Sequence, residues 1–381
     1  ILQVKVKYKR RNNMTGTKYR KAIDSITPYS PGKPIEEVAR ELGLDPSSII
    51  KLASNENPLG PSPLAIEAMR SHLGDVRLYP DSDSYELRQA IAKYLNVEGN
   101  QVIVGRGSDE IMHFIAVAYL EEGDEVIMGN PPFSMYEIST LTMGATPVKI
   151  PLKNYAHDLQ AMADAITDKT KIIYIANPHN PTGAVNTNTE LEAFLARIPD
   201  HVLIVLDDAY YQYATDPEYP DSMSYLDSGK NILVMHTFSK IYSLAGLRVG
   251  YAVSKRKEVI FALNQVREPF NVANIAQWAA IASLNCPDQI KKGREINEAG
   301  KQLMYAAFDE MEMEYVPSNA NFILVDVGKP CRAVFNGLLK LGVIVRTGDI
   351  FGYPNKIRVT IGTAEENARF IKSLKQVISE L

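Results

Sequence analysis

Between residues 100 and 255, short runs of β-branched and other apolar residues alternate with amphipathic stretches. The runs fall at 102–104, 125–128, 171–176, 202–206, 232–237 and 248–253, and helical patterns such as 111–120 and 190–197 lie between them. Parallel strands need a crossover between them, and a helix is the usual crossover. The rhythm therefore predicts a mostly parallel sheet with helices on both faces. A sheet of this kind holds its ligand in the loops at the carboxyl ends of its strands.

After Pro287 the pattern changes. A long polar helix pattern at 288–313 leads into an apolar run at 322–327, a helix at 333–341, a second run at 357–361 and a final helix. This reads as a smaller α+β domain (287–381) behind a large domain (51–286), with 14–50 as an arm contributing to the small one. Residues 1–13 are basic and lack an apolar signal core. They read as a non-native or disordered leader, with Met14 as the natural start.

A chain of 381 residues, 45% hydrophobic and 23% charged, can bury two cores. Its 41 basic against 45 acidic residues leave −4, which gives no reason to expect nucleic acid as a partner. No apolar run reaches the roughly 20 residues that span a bilayer. Cys286 and Cys331 are far apart and lack metal-ligand spacing. A cytoplasmic protein without metal or disulfides is expected.

Four segments at predicted strand ends carry chemistry. Thr237-Phe238-Ser239-Lys240 leads towards Arg248. A desolvated lysine there can become a nucleophile, and the two hydroxyls and the guanidinium can grip a phosphate. Asn177-Pro178-His179-Asn180-Pro181-Thr182-Gly183 is a tight turn that presents Asn180 above the sheet. Asp207, in Leu206-Asp207-Asp208-Ala209-Tyr210, ends a buried strand and needs a cation or donors. Gly105-Arg106-Gly107-Ser108-Asp109-Glu110 opens a helix whose free N–H groups can cradle phosphate. Taken singly, the lysine reads as a solvated loop residue, the Asn177–Gly183 segment as a turn and the glycine segment as a loop, while Asp207 reads equally well as a helix cap.

In this order and spacing the segments resemble the fold-type I aminotransferases, which use pyridoxal 5'-phosphate, and within them the bacterial histidinol-phosphate group. The likeness runs from about residue 26 to the C-terminus and includes Thr27-Pro28-Tyr29, Ser54-Asn55-Glu56-Asn57-Pro58, Tyr79-Pro80-Asp81 and Arg358-Val359-Thr360-Ile361-Gly362. The resemblance implies that Lys240 carries the cofactor as a Schiff base and that Asp207 pairs with its ring nitrogen. Tyr210 and Asn180 match groups that bond its 3-oxygen. Ser108, Asp109, Thr237, Ser239 and Arg248 match the phosphate cup. Phe133 sits where the family stacks an aromatic ring, often Tyr, and Asp208 stands where many relatives have Glu.

Tyr29, Asn57, Arg346 and Arg358 match substrate-binding positions. Tyr79 matches a tyrosine that reaches a neighbouring subunit's cofactor, which implies a homodimer with shared sites. The implied activity is amino transfer from L-histidinol phosphate to 2-oxoglutarate. An aromatic amino-acid aminotransferase, a phosphothreonine decarboxylase on the same scaffold and a cofactor-binding regulatory module remain alternatives.

Overall fold

A computed structural model describes residues 19–381, and the leader expected at 1–13 lies outside the described residues. The described chain opens with a short 3-10 helix, Lys21–Ser25, followed by the helix Ile35–Leu42 and a two-residue strand, β1 (Ile50–Lys51). The central strands follow in order: β2 (Val102–Gly105), β3 (Glu125–Asn130), β4 (Thr146–Pro151), β5 (Thr170–Ala176), β6 (Leu203–Asp207), β7 (Ile232–Thr237) and β8 (Gly250–Val253). Among the described residues they form a seven-stranded sheet in the order β2-β8-β7-β6-β5-β3-β4. From β7 through β4 the pairing is parallel, while β8 runs antiparallel to both β2 and β7.

Period-two alternation sends each strand's side chains to opposite faces. Ile232 and Val234 of β7 join one buried layer, and Leu233 and Met235 join the other. Strand β4 was not foreseen. It lies at the sheet edge with Pro147 and Pro151 in a run of half-buried and exposed residues, where proline is tolerated but the apolar signal is weak. The expected strand at 248–253 begins later, at Gly250, because Arg248 takes a left-handed turn with φ 53°.

The C-terminal part contributes β9 (Phe322–Asp326), β10 (Val343–Ile344), β11 (Arg346–Thr347) and β12 (Lys356–Thr360). Strand β12 pairs antiparallel with β9 and β11. The helices Pro287–Glu310, Cys331–Lys340 and Ala364–Glu380 pack on one another and on these strands. Strand β1 pairs parallel with β10, and Val38, Ala39 and Ile49 pack with Leu339 and Ile344, so residues 35–53 are built onto this unit. Among the described residues, no helix is long and apolar enough to cross a membrane.

Candidate active site

Strands β2, β3, β5, β6 and β7 all finish at one rim of the central sheet, and antiparallel β8 begins there. A cavity of about 270 Å³ opens on this rim, between the sheet and the C-terminal unit. Its floor is made of residues that immediately follow strand ends.

At one end the helix Gly107–Tyr119 starts directly after β2, with Ser108 and Asp109 in its first turn. Gly107 has φ +73°, and a Cβ there would stand 2.6 Å from Arg248 Nη2. A Cβ on Gly250 would meet the Ser108 backbone nitrogen at 2.7 Å. Both glycines thus let the helix start and the β7–β8 turn close on one another. Arg248 reaches Asp109 Oδ2 at 3.2 Å, and Thr237 and Ser239 line the same end. Backbone N–H groups, hydroxyls and a guanidinium around a glycine-lined hollow fit a phosphate.

Asp207, the last residue of β6, is buried at 6% exposure. Its Oδ2 accepts the phenol proton of Tyr136 at 2.5 Å, and its Oδ1 accepts the Ala209 N–H at 3.1 Å. Burial pushes its carboxyl up to about 6, a rise that the hydrogen bonds from Tyr136 and Ala209 restrain. A buried carboxylate so destabilised is suited to a cationic partner such as a protonated ring nitrogen. Phe133 caps the helix Ser134–Met143 and lies edge-on to Tyr136, with ring centroids 5.6 Å apart.

Lys240 projects into the cavity, its Nζ donating to Ser54 O at 3.3 Å and lying 5.4 Å from the Tyr210 ring centre. The Tyr210 oxygen accepts from Asn55 Nδ2 at 2.9 Å and from Asn180 Nδ2 at 3.4 Å. Two donors on the phenol oxygen leave its own proton for a third partner. His179, whose ring nitrogens lie 3.0 Å from Thr182 Oγ1 and 3.2 Å from Pro131 O, ties the Asn180 turn to the segment carrying Phe133. Burial holds its pKa well below the usual histidine range, so the link is made by a neutral ring.

Two arginines also line the cavity. Arg358 of β12 is buried, with Nη1 donating to Asn180 Oδ1 at 2.6 Å and Nη2 to Ala53 O at 2.9 Å. Phe322 and Phe351 flank its guanidinium at 5.2 and 5.6 Å, and its buried Nε has no hydrogen-bond partner among the described residues. Burial, with repulsion from Arg346, pulls its pKa down to about 10, so it stays cationic at neutral pH. Arg346 donates to Ser30 O and stands 5.7 Å from the Tyr29 ring centre. An incompletely bonded, desolvated guanidinium favours an incoming anion.

The cavity therefore brings together Lys240, Asp207, Tyr210, Asn180, Phe133, the five expected phosphate-cup residues, Tyr29, Arg346 and Arg358. It does not include Asn57, whose Nδ2 instead donates to Ile241 O at 2.8 Å. The neighbouring Asn55 takes the cavity position, because a backbone φ of 56° turns it towards Tyr210. Tyr79 also lies outside its own chain's cavity, 82% exposed and stacked on Phe270 at 4.8 Å. Tyr136 and Phe351 were missed. Tyr136 stands three residues after Phe133, a helical spacing that would have placed both on one face. Phe351 lies in a short 3-10 turn and carries no periodic signal.

These features agree with what the chain is similar to. Residues 47–374 match the family model for aminotransferase class I and II. Histidinol-phosphate aminotransferase of Moorella thermoacetica is 49% identical over 96% of this chain and 94% of its own length. The corresponding protein of Caldicellulosiruptor saccharolyticus is 49% identical over 94% of this chain and 100% of its own. The crystal structure of histidinol-phosphate aminotransferase from Sinorhizobium meliloti, in complex with pyridoxal-5'-phosphate, superposes with a TM-score of 0.88 at 27% identity, covering 96% of this chain and 98% of that one. The chain belongs to the class I and II aminotransferase family.

Proposed function

We propose that this chain transfers the amino group of L-histidinol phosphate to 2-oxoglutarate, giving imidazole acetol phosphate and L-glutamate in histidine biosynthesis, with pyridoxal 5'-phosphate as cofactor. The observation that carries the substrate is the pair Arg346 and Arg358, which line the same cavity as the expected phosphate-cup residues. Two desolvated cations suit a phosphate monoester dianion, and an arginine fork also fits the carboxylate of glutamate. Relatives at 49% identity carry the histidinol-phosphate name.

When bound, the cofactor supplies the electron sink that makes the α-carbon of an amine acidic. The residues of the chain supply binding, orientation and proton transfer. Ser108, Thr237, Ser239 and Arg248, with the backbone N–H of Asp109, would hold the cofactor's phosphate, and Phe133 would flank its ring. Asp207 holds a proton on the ring nitrogen, where a charge pair about 4 Å apart is worth roughly 4 kcal/mol at an effective dielectric of 20. Tyr210 and Asn180 orient the ring through its 3-oxygen. Lys240 anchors the cofactor covalently at rest, and its freed Nζ then moves the α-proton as base and acid. Arg358, with Arg346 and Tyr29 beside it, would fix the far end of the substrate and so orient it for proton transfer by Lys240.

The enzyme works as a homodimer in the cytoplasm. Leu73, Val76, Leu78, Tyr79 and Phe270, neighbours in chain or by ring stacking, are all exposed in the single chain. That apolar surface fits a second copy, which would bring Tyr79 to the partner's phosphate cup.

The test is a comparison of histidinol phosphate, histidinol, phenylalanine and tyrosine under identical conditions. Loss of charge-assisted bonds worth about 1.5–3 kcal/mol each should make histidinol at least roughly 100-fold poorer in kcat/KM. If phenylalanine outperforms histidinol phosphate, the substrate assignment is overturned and the amino-transfer chemistry stands.

A further inference from the structure

We propose that Tyr136 is a positioning residue for amino transfer: its phenol proton, donated to Asp207, keeps that carboxylate the weaker base of the pair it forms with the cofactor's ring nitrogen. The proposal rests on Asp207 being the ring-nitrogen partner. A proton shared between a carboxylate and a pyridine nitrogen resides on the stronger base, and electrons flow into the ring when it resides on nitrogen. A neutral donor on the carboxylate shifts the balance towards nitrogen without cancelling the negative charge.

Several features make Tyr136 such a donor. It is 2% exposed and stacks face to face on Tyr174, with centroids 4.3 Å apart and planes 4° from parallel. That stack and the contact with Phe133 fix the ring, so its hydroxyl meets Asp207 Oδ2 at 2.5 Å. Burial, and then the adjacent carboxylate, push its own ionisation well above the usual phenol range, so it remains protonated across the working pH. Oδ1 is already held by the Ala209 N–H. Besides Tyr136, the titratable groups around Asp207 are Asp109 and Asp208, Lys240, Tyr174, Tyr210 and Tyr219. Asp109 raises its proton affinity and Lys240 lowers it from a distance, whereas Tyr136 acts in direct contact.

The arrangement also explains why one helix carries both residues. Phe133 caps the helix Ser134–Met143 and Tyr136 lies in its first turn, three residues on. A single rigid element thus sets the aromatic flank of the ring and the basicity of the group beneath it.

The decisive measurement is made on the cofactor-free protein. Carboxyl-labelled aspartate is followed by carbon NMR against pH, with the Asp207 signal assigned by its loss in Asp207→Asn. Tyr136→Phe should raise the Asp207 midpoint by about one pH unit or more. A 3-fluorotyrosine placed at position 136, which keeps the shape and sharpens the donor, should lower it. In the loaded enzyme, Tyr136→Phe should reduce kcat about 10- to 100-fold, the factor expected for a hydrogen bond to a charged group. Cofactor affinity should hold, while the pH midpoint of the bound cofactor's visible absorbance shifts.

An Asp207 midpoint that stays fixed in both variants, while Asp207→Asn is inactive, overturns the role of Tyr136 alone. If Tyr136→Phe does not fold, the fluorinated protein decides by the same criterion. Full turnover by Asp207→Asn overturns the underlying assignment of Asp207 instead.

Discussion

Asp207 is the residue whose environment most conflicts with its charge. Its carboxyl titrates near 6 when the cofactor is absent, against an ordinary 3.8, because burial opposes ionisation. The folded cofactor-free chain therefore binds this proton more tightly than the unfolded chain does. The associated stability is full below pH 3.8 and is lost as pH rises through about 6. Above that window, cofactor-free Asp207→Asn should be the more stable protein, by up to about 3 kcal/mol at about 1.36 kcal/mol per unit. Thermal unfolding from pH 4 to 8 checks this, and a difference independent of pH would contradict it. The same variant, loaded with cofactor, should lose turnover by orders of magnitude with its fold intact. A cost in the empty protein thus becomes a gain when a ring cation arrives.

At the scale of elements, the site depends on where strands stop. Gly107, between β2 and its helix, is held at φ +73° beneath Arg248. Gly107→Ala would put a Cβ 2.6 Å from Nη2 and strain the backbone, so Arg248 must withdraw from the cup. We expect cofactor affinity to fall about tenfold or more, a loss of roughly 1.4 kcal/mol, measurable by equilibrium dialysis. Unchanged affinity would show that Arg248 does not grip the phosphate.

The strand ends were legible in the sequence because buried parallel strands are uninterrupted apolar runs and the reactive residues immediately follow them. Edge strand β4 was not, since its prolines and partial exposure dilute that signal. Nor could spacing tell Asn55 from Asn57. That choice is made by a positive φ and by bonds to Thr360 and Asn321, about 270–300 residues further along the chain. Arg346 and Arg358 are opposite each other on β11 and β12, a register that brings two arginines distant in sequence together in the proposed anion site.

On the scale of the whole molecule, exposed Tyr79 and the apolar residues near it bear on assembly. Tyr79→Ala and Lys240→Ala should each be nearly inactive, the first through cofactor loss and the second through loss of the proton carrier. Mixed and allowed to exchange subunits, they should recover activity towards about a quarter of wild type, because each hybrid dimer holds one intact site. No recovery after verified exchange would count against the shared site.

The pairing of β1 with β10 has a consequence for biosynthesis. Ile50 aligns with Val343, so the ribosome must add about 290 residues before the strand meets its neighbour. At roughly 5–20 residues per second, that is a delay of about 15–60 s. Throughout it, the apolar face of Val38, Ala39 and Ile49 lacks Leu339 and Ile344, which later cover it. The nascent chain thus carries an adhesive segment for most of its translation, and holding that segment apart is work for a chaperone.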